Sequence, residues 1–180
     1  MIMSNQRKKI VAISGSTRAD SVNFHILKVI AVLYKAKVDF QIFLGIDQLP
    51  HFNPDLDNEK VAPTVTDFRK QIHEADGVLI CTPEYVYSLP GSLKNAIEWT
   101  VSTVLFTEKP VALITAASSG EKAHEALHLL MSTIGAKIGP SILIQAPKTK
   151  VSGEGQITDG VTLHNIQELM DSFIISLSED

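Results

Sequence analysis

One cysteine, Cys81, stands in 180 residues, so no intramolecular disulfide can form. A chain of this length buries a core without such staples, and a lone thiol fits a reducing compartment. Long apolar runs are missing as well. Arg7-Lys8-Lys9 precedes only the short run Ile10 to Ile13, and Ser14-Gly15 then interrupts. A secretory signal needs a longer apolar stretch and a membrane span far more. The expectation is a cytoplasmic protein with no membrane partner. Charge of one sign is not in large excess: 16 basic residues against 20 acidic give a net charge of −4. With no basic stripe anywhere, nucleic acid is not an expected partner. Internal repeats and low-complexity tracts are absent. So are Gly-x-Gly-x-x-Gly, a Walker Gly-Lys-Ser/Thr and a Gly-x-Ser-x-Gly elbow, which argues against the usual dinucleotide, triphosphate and serine-hydrolase loops.

What is present is an ordinary globular mix, 44% apolar and 20% charged, sized for a single domain over residues 1–180. Short apolar runs alternate with helical patterns, as in a parallel sheet flanked by helices. Strands are predicted at 9–14, 38–43, 77–81, 110–115 and 141–145. Helices are predicted at 23–35, 64–74, 91–104, 121–134 and 161–177, the last with Thr158 or Asp159 as N-cap. Residues 45–63 form a long loop, of the kind that is often functional. The fold class is therefore α/β: a doubly wound, five-stranded parallel sheet in three α/β/α layers. Such sheets bind ligands at the carboxyl ends of their strands, so the loops after strands one, three and four are the places to look.

The first of these, Gly15-Ser16-Thr17-Arg18 through Ser21-Val22-Asn23, runs into a helix. A helix N-terminus offers unpaired N–H groups and a favourable dipole to an anion. Ser16, Thr17 and Ser21 add hydroxyls, and Arg18 adds a charge-assisted donor. A hydroxyl-rich loop with one glycine suits a compact monophosphate such as that of FMN; an ordinary N-cap turn with an exposed arginine fits the same residues. The second loop, Thr82 to Asn95, packs Tyr85, Tyr87, Pro83, Pro90 and Gly91 between strand and helix. Proline fixes a backbone, and tyrosine rings can cover a flat heterocycle or a neighbouring subunit.

These residues, with Leu49-Pro50, Phe52-Asn53-Pro54-Asp55-Leu56, Ala75-Asp76-Gly77, Pro83-Glu84-Tyr85, Ser88, Pro90-Gly91, Leu93-Lys94-Asn95-Ala96-Ile97 and Trp99, closely resemble the NADPH-dependent FMN reductase family, which includes quinone, chromate and azo-dye reductases. The resemblance spans most of the chain. It implies a flavodoxin-like fold, with the FMN phosphate held by Ser16, Arg18, Ser21, Val22 and Asn23. It implies a flavin ring lined by Pro83, Glu84, Tyr85, Val86, Tyr87 and Ser88, and reached by Ser118, Ser119 and Gly120. FMN would carry the chemistry, with NADPH or NADH as donor. The acceptor would be small (a quinone, an azo or nitro aromatic, free flavin or a metal oxyanion), and the kinetics ping-pong. A homodimer, or a tetramer, is the implied assembly. The sequence departs from the family at Val86, where Asn or Gly is frequent. It departs again at Glu121-Lys122-Ala123, where relatives often carry an arginine followed by glycines.

Other signals carry less. His124-Glu125-Ala126-Leu127-His128 matches a zinc-protease pattern, but both histidines fall at the margin of their helix's apolar stripe, and downstream only His164 offers a third ring. Ser119-Gly120-Glu121-Lys122 fits Ser-x-x-Lys without its partner motifs. Cys81 reads as a buried strand residue. Trp99 lies off its helix's stripe, near a flavin or a subunit contact. Glu84 is a candidate acid or base, or a turn cap, or a partner of Lys94. Two rival functions share the fold: an electron carrier without turnover, and a flavin-free interaction protein.

Overall fold

The computed structural model describes residues 7–178. Five strands alternate with five helices. They are β1 (Lys9–Ser14), α1 (Val22–Tyr34), β2 (Asp39–Phe43), α2 (Pro63–Glu74), β3 (Gly77–Thr82), α3 (Gly91–Glu98), β4 (Pro110–Ala117), α4 (Glu121–Thr133), β5 (Lys137–Gln145) and α5 (Gly160–Ser176). Every strand pairing is parallel, and the order is β2-β1-β3-β4-β5. The sheet is thus doubly wound, with its order reversing between β1 and β3 as in flavodoxin-like folds.

Side chains that alternate across a strand feed two cores. Val11, Ile13, Val78, Ile80, Val111 and Leu113 face α2, α3 and α4, where Phe68, Leu93 and Leu127 are buried. Ile10, Ala12, Leu79, Cys81, Ala112 and Ile114 face α1 and α5, where Ile26, Ile30, Met170 and Phe173 are buried. Strands covered on both faces read as unbroken apolar runs, and β3 is buried at all of its positions. Local chemistry sets the helix starts. Ser21 Oγ accepts the Phe24 N–H at 3.0 Å, Pro63 opens α2, and Asp159 accepts the Thr162 N–H at 2.8 Å to start α5.

Three expectations are corrected. Helix 91–104 ends at Glu98. Beyond it the Thr100 hydroxyl donates to the Ile97 carbonyl at 2.7 Å and the Thr103 hydroxyl to the Thr100 carbonyl at 2.6 Å. A β-branched, hydroxyl-rich run thus forms turns in place of another helical turn, and Val101 and Val104, expected on the buried stripe, are exposed. β5 begins at Lys137 rather than Ser141. β5 is an edge strand with a register shift against β4 between Val111 and Leu113, and Pro140 is tolerated in such a strand. Trp99 is neither a surface nor a flavin-facing residue. It is fully buried, it meets the Phe52 ring edge-on at 5.1 Å, and its Nε1 donates to the Pro50 carbonyl at 2.7 Å.

That tryptophan belongs to a clamp on the loop between β2 and α2. Asn95 donates to the Pro50 carbonyl at 3.0 Å and accepts the Phe52 N–H at 2.7 Å. Arg69 on α2 donates to the Trp99 carbonyl at 2.7 Å and to Asp57 at 2.8 Å. The Asp57 carboxylate also accepts from the Ser102 hydroxyl. Arg69 and Ser102 together hold the Asp57 carboxyl below the usual carboxylate range.

Candidate functional site

The carboxyl ends of β1, β3, β4 and β5 open onto one cavity of about 390 Å³. Its floor begins where β1 ends. The Gly15 N–H bonds the Cys81 carbonyl at 2.8 Å, and a Cβ on Gly15 would stand 2.3 Å from the Thr82 hydroxyl oxygen; only glycine lets the chain turn there. Ser16 and Ser21 follow, both buried and both lining the cavity, with Arg18, Val22 and Asn23. In the first turn of α1 the Val22 and Asn23 N–H groups have no partner within the helix, while Ser21 already serves Phe24. The side chain of Asn23 is committed elsewhere. It accepts from the Cys81 thiol at 3.3 Å and donates to the Ala116 carbonyl at 3.3 Å, so only its backbone donor is left for a ligand. Full burial pushes the Cys81 thiol far up, away from thiolate chemistry. Asp20, in the same loop, pairs with His25 at 3.0 Å, which ties the loop to α1.

The loop after β3 supplies Pro83, Glu84 and Tyr85. Past Tyr85 the chain closes a two-residue turn. The Tyr85 N–H bonds the Ser88 carbonyl at 2.9 Å and the Ser88 N–H bonds the Tyr85 carbonyl at 3.1 Å, with φ of 52° at Val86 and 55° at Tyr87. Positive φ at both central residues is the geometry of a type I′ turn. Val86, Tyr87 and Ser88 are thus outside the cavity lining, with Val86 95% and Tyr87 77% exposed. Glu84 turns away from Lys94, which pairs with Glu98 at 2.6 Å. Its carboxylate accepts the Gly120 N–H at 3.3 Å and the Ala123 N–H at 3.0 Å. After β4, Ser118 lines the cavity; Ser119 and Gly120 are not among its lining and lead into α4.

The sequence offered no specific motif for the remaining wall. Ala116 and Ala117 at the end of β4, and Ala146, Pro147, Lys148 and Thr149 after β5, complete it. A general signal did exist, because ligands sit at strand ends in such sheets and Lys148 lies just beyond the end of β5. The side chains of Arg18 and Lys148 have no hydrogen-bond or ion-pair partner among the described residues. A second groove of about 170 Å³ adjoins the cavity, shares Ser16 and Arg18 with it, and runs along residues 43–48.

Two free cations, buried serine hydroxyls and an open helix N-terminus are a donor set for a phosphate. The flat, weakly polar walls of Pro83, Tyr85, Ala116 and Ala117 suit an aromatic ring system, and the volume is that of a small-molecule site. FMN therefore fits the residues present. The histidine pair does not build a rival centre. His124 shares a hydrogen bond with the Thr115 hydroxyl at 2.9 Å and His128 with the Ser141 hydroxyl at 3.0 Å. Burial and the neighbouring His128 ring lower the His124 pKa, and His164 pairs with Glu168. Among the described residues no group of three or more His, Cys, Asp or Glu could hold a metal.

Known proteins bear on this site directly. Residues 8–149 match the family model for NADPH-dependent FMN reductase. An NADPH:quinone oxidoreductase of Arabidopsis thaliana is 30% identical over 172 residues, covering 90% of this chain and 88% of its own. An NAD(P)H-dependent FMN reductase of Pseudomonas aeruginosa is 30% identical over 172 residues, covering 91% and 92%. The solved structure of FerB, a flavoenzyme NAD(P)H:(acceptor) oxidoreductase from Paracoccus denitrificans, superimposes with a TM-score of 0.79 at 28% identity, covering 96% of this chain and 98% of that one. The match runs from β1 to the loop after β5 and so takes in every segment that walls the cavity, and the chain belongs to the NADPH-dependent FMN reductase family.

Proposed function

We propose that this protein, one domain in the cytoplasm, uses the cavity at the carboxyl edge to hold FMN while a nicotinamide and then a quinone-type acceptor exchange electrons with it. The observation that carries this role is the convergence of Ser16, Ser21, Arg18 and Lys148 on one cavity beside the α1 N-terminus. When bound, FMN supplies the two-electron chemistry, and the protein supplies position and electrostatics. Ser16 and Ser21 donate their hydroxyls to the phosphate, and the Val22 and Asn23 N–H groups meet it at the helix end. Arg18 neutralises it, and Lys148 adds a second positive charge from the opposite loop. Pro83 and Tyr85 line the ring, and Ser118 borders it. The quinone class comes from the named activity of the Arabidopsis relative. Tyr87 and Val86, exposed at the hairpin tip, are placed to meet an acceptor or the second subunit of a homodimer. No helix among the described residues is long and apolar enough to cross a membrane.

The test is a visible spectrum of purified protein after FMN is added and the excess removed, followed by anaerobic NADPH and NADH. Retained flavin bands that bleach with a nucleotide are expected. Bands that stay unbleached would make the protein a carrier, and no retained flavin would remove the site.

A further inference from the structure

α4 starts without a cap of its own. Its N-cap residue is Gly120, at φ 94°, with no side chain to offer the first turn. A residue with a side chain is strained at that φ, and its Cβ would have to displace Leu143 Cδ1, which stands at 2.6 Å. The task an N-cap serine or aspartate normally performs passes to a residue far away in sequence. Glu84, in the loop after β3, gives one carboxylate oxygen to the Gly120 N–H and the other to the Ala123 N–H. Glu121, the acid native to this turn, points elsewhere, to Gln145 at 2.7 Å. Glu84 also lines the cavity. Two helix N-termini therefore differ in electrostatic state: that of α1 opens on the cavity, and that of α4 is linked to it through Glu84. The N-terminus of α1 keeps free donors and is flanked by Arg18. The N-terminus of α4, equivalent to about half a positive charge, is covered by a full negative one.

A net negative charge beside a flavin opposes the addition of electrons to it. We propose that Glu84 is a positioning residue that both locks the loop after β3 onto α4 and lowers the two-electron midpoint potential of bound FMN. The proposal rests on FMN occupying this cavity. The carboxylate contributes charge; the two N–H donors fix where that charge sits and offset part of it.

The two contributions separate by substitution. Glu84→Gln keeps an acceptor oxygen for the Ala123 N–H and removes the charge, so the potential rises. Glu84→Asp keeps the charge but withdraws it from the two donors, leaving it less compensated, so the potential falls below that of the wild type. Loosening of the fold alone has no reason to move the potential in opposite directions. The measurement is an anaerobic reduction of FMN-loaded wild type and both variants against a redox dye of known potential, with FMN dissociation constants and melting curves recorded alongside. The expected rise for Glu84→Gln corresponds to about a tenfold gain in preference for reduced over oxidised FMN, or about 30 mV for a two-electron couple. An unchanged potential in Glu84→Gln, or a rise in Glu84→Asp, overturns the proposal. If Glu84→Gln does not fold, the sign of the Glu84→Asp shift decides by itself, and an unchanged value counts against. Failure of the wild type to retain FMN is a different result, and would strike the site assignment rather than the role of Glu84.

Discussion

Val86 combines a β-branched side chain, a φ of 52° and 95% exposure. No buried contact rewards that conformation, and a left-handed backbone costs a residue with a Cβ roughly 1–2 kcal/mol. Asparagine tolerates the region without glycine's extra unfolded-state entropy. Val86→Asn is therefore expected to stabilise the protein by about 1 kcal/mol, a rise of roughly 2–4 °C in melting temperature for a chain of this size. A melting temperature equal to or below the wild type would show that the turn carries no strain. Arg18 poses the complementary case, an exposed cation with no partner for its side chain. Removing it costs the fold nothing that can be named, but deprives a bound phosphate of a charge-assisted bond worth about 1.5–3 kcal/mol. Arg18→Ala should weaken FMN binding by roughly 10- to 100-fold, read by flavin fluorescence quenching, at an unchanged melting temperature. An unaltered dissociation constant would assign the phosphate to Lys148 and the helix end. Arg18 was legible in the sequence because its loop has a recognisable pattern. Lys148 was not, because a lone lysine in a polar turn has no local signature, and only the sheet order brings it to the same cavity.

At the level of elements, the strands were the most legible part, since central parallel strands are apolar throughout. Boundaries failed where local and tertiary preferences conflict. α3 has apolar residues in helical register as far as Val104, and the registry says helix. The hydroxyls of Thr100 and Thr103 take up carbonyls on their own account, and burial of Trp99 against Phe52 turns the chain inward. No periodicity count reveals that Trp99 and Arg69 hold the loop from β2 to α2. The clamp makes a prediction about pH. Arg69 and Asp57 are largely buried, their side chains 17% and 9% exposed, so deleting the arginine leaves the Asp57 charge with the Ser102 hydroxyl alone. Arg69→Met should cost about 3 kcal/mol. Because the Asp57 pKa is lowered in the folded state, the unfolded chain binds its proton first as pH falls. The stabilisation is thus complete above the unfolded value of about 4 and is lost as pH drops through the folded one. Urea midpoints across pH 3 to 7 should show the wild type losing more stability at the acid end than Arg69→Met. Parallel profiles would mean the pair does not couple protonation to folding.

For the whole molecule, the cavity draws its walls from four strand ends and from segments as distant as Ser16 and Thr149. Those walls meet only in the folded state, so a ligand that binds there stabilises everything at once. At a free concentration a hundred times its dissociation constant, FMN should add about 2.7 kcal/mol, a rise on the order of 5–10 °C in melting temperature. Riboflavin presents the same ring without the phosphate. It can use the walls of Pro83 and Tyr85 but not the donors of Ser16, Ser21 and Arg18, so at equal concentration its shift should be much smaller. A third compound separates the subsites further. Inorganic phosphate reaches the α1 end alone, and should compete with FMN while giving a small shift of its own. Equal shifts from FMN and riboflavin would place the binding energy in the ring walls and leave the helix end of α1 without the part assigned to it. A shift from FMN that survives saturating phosphate would do the same.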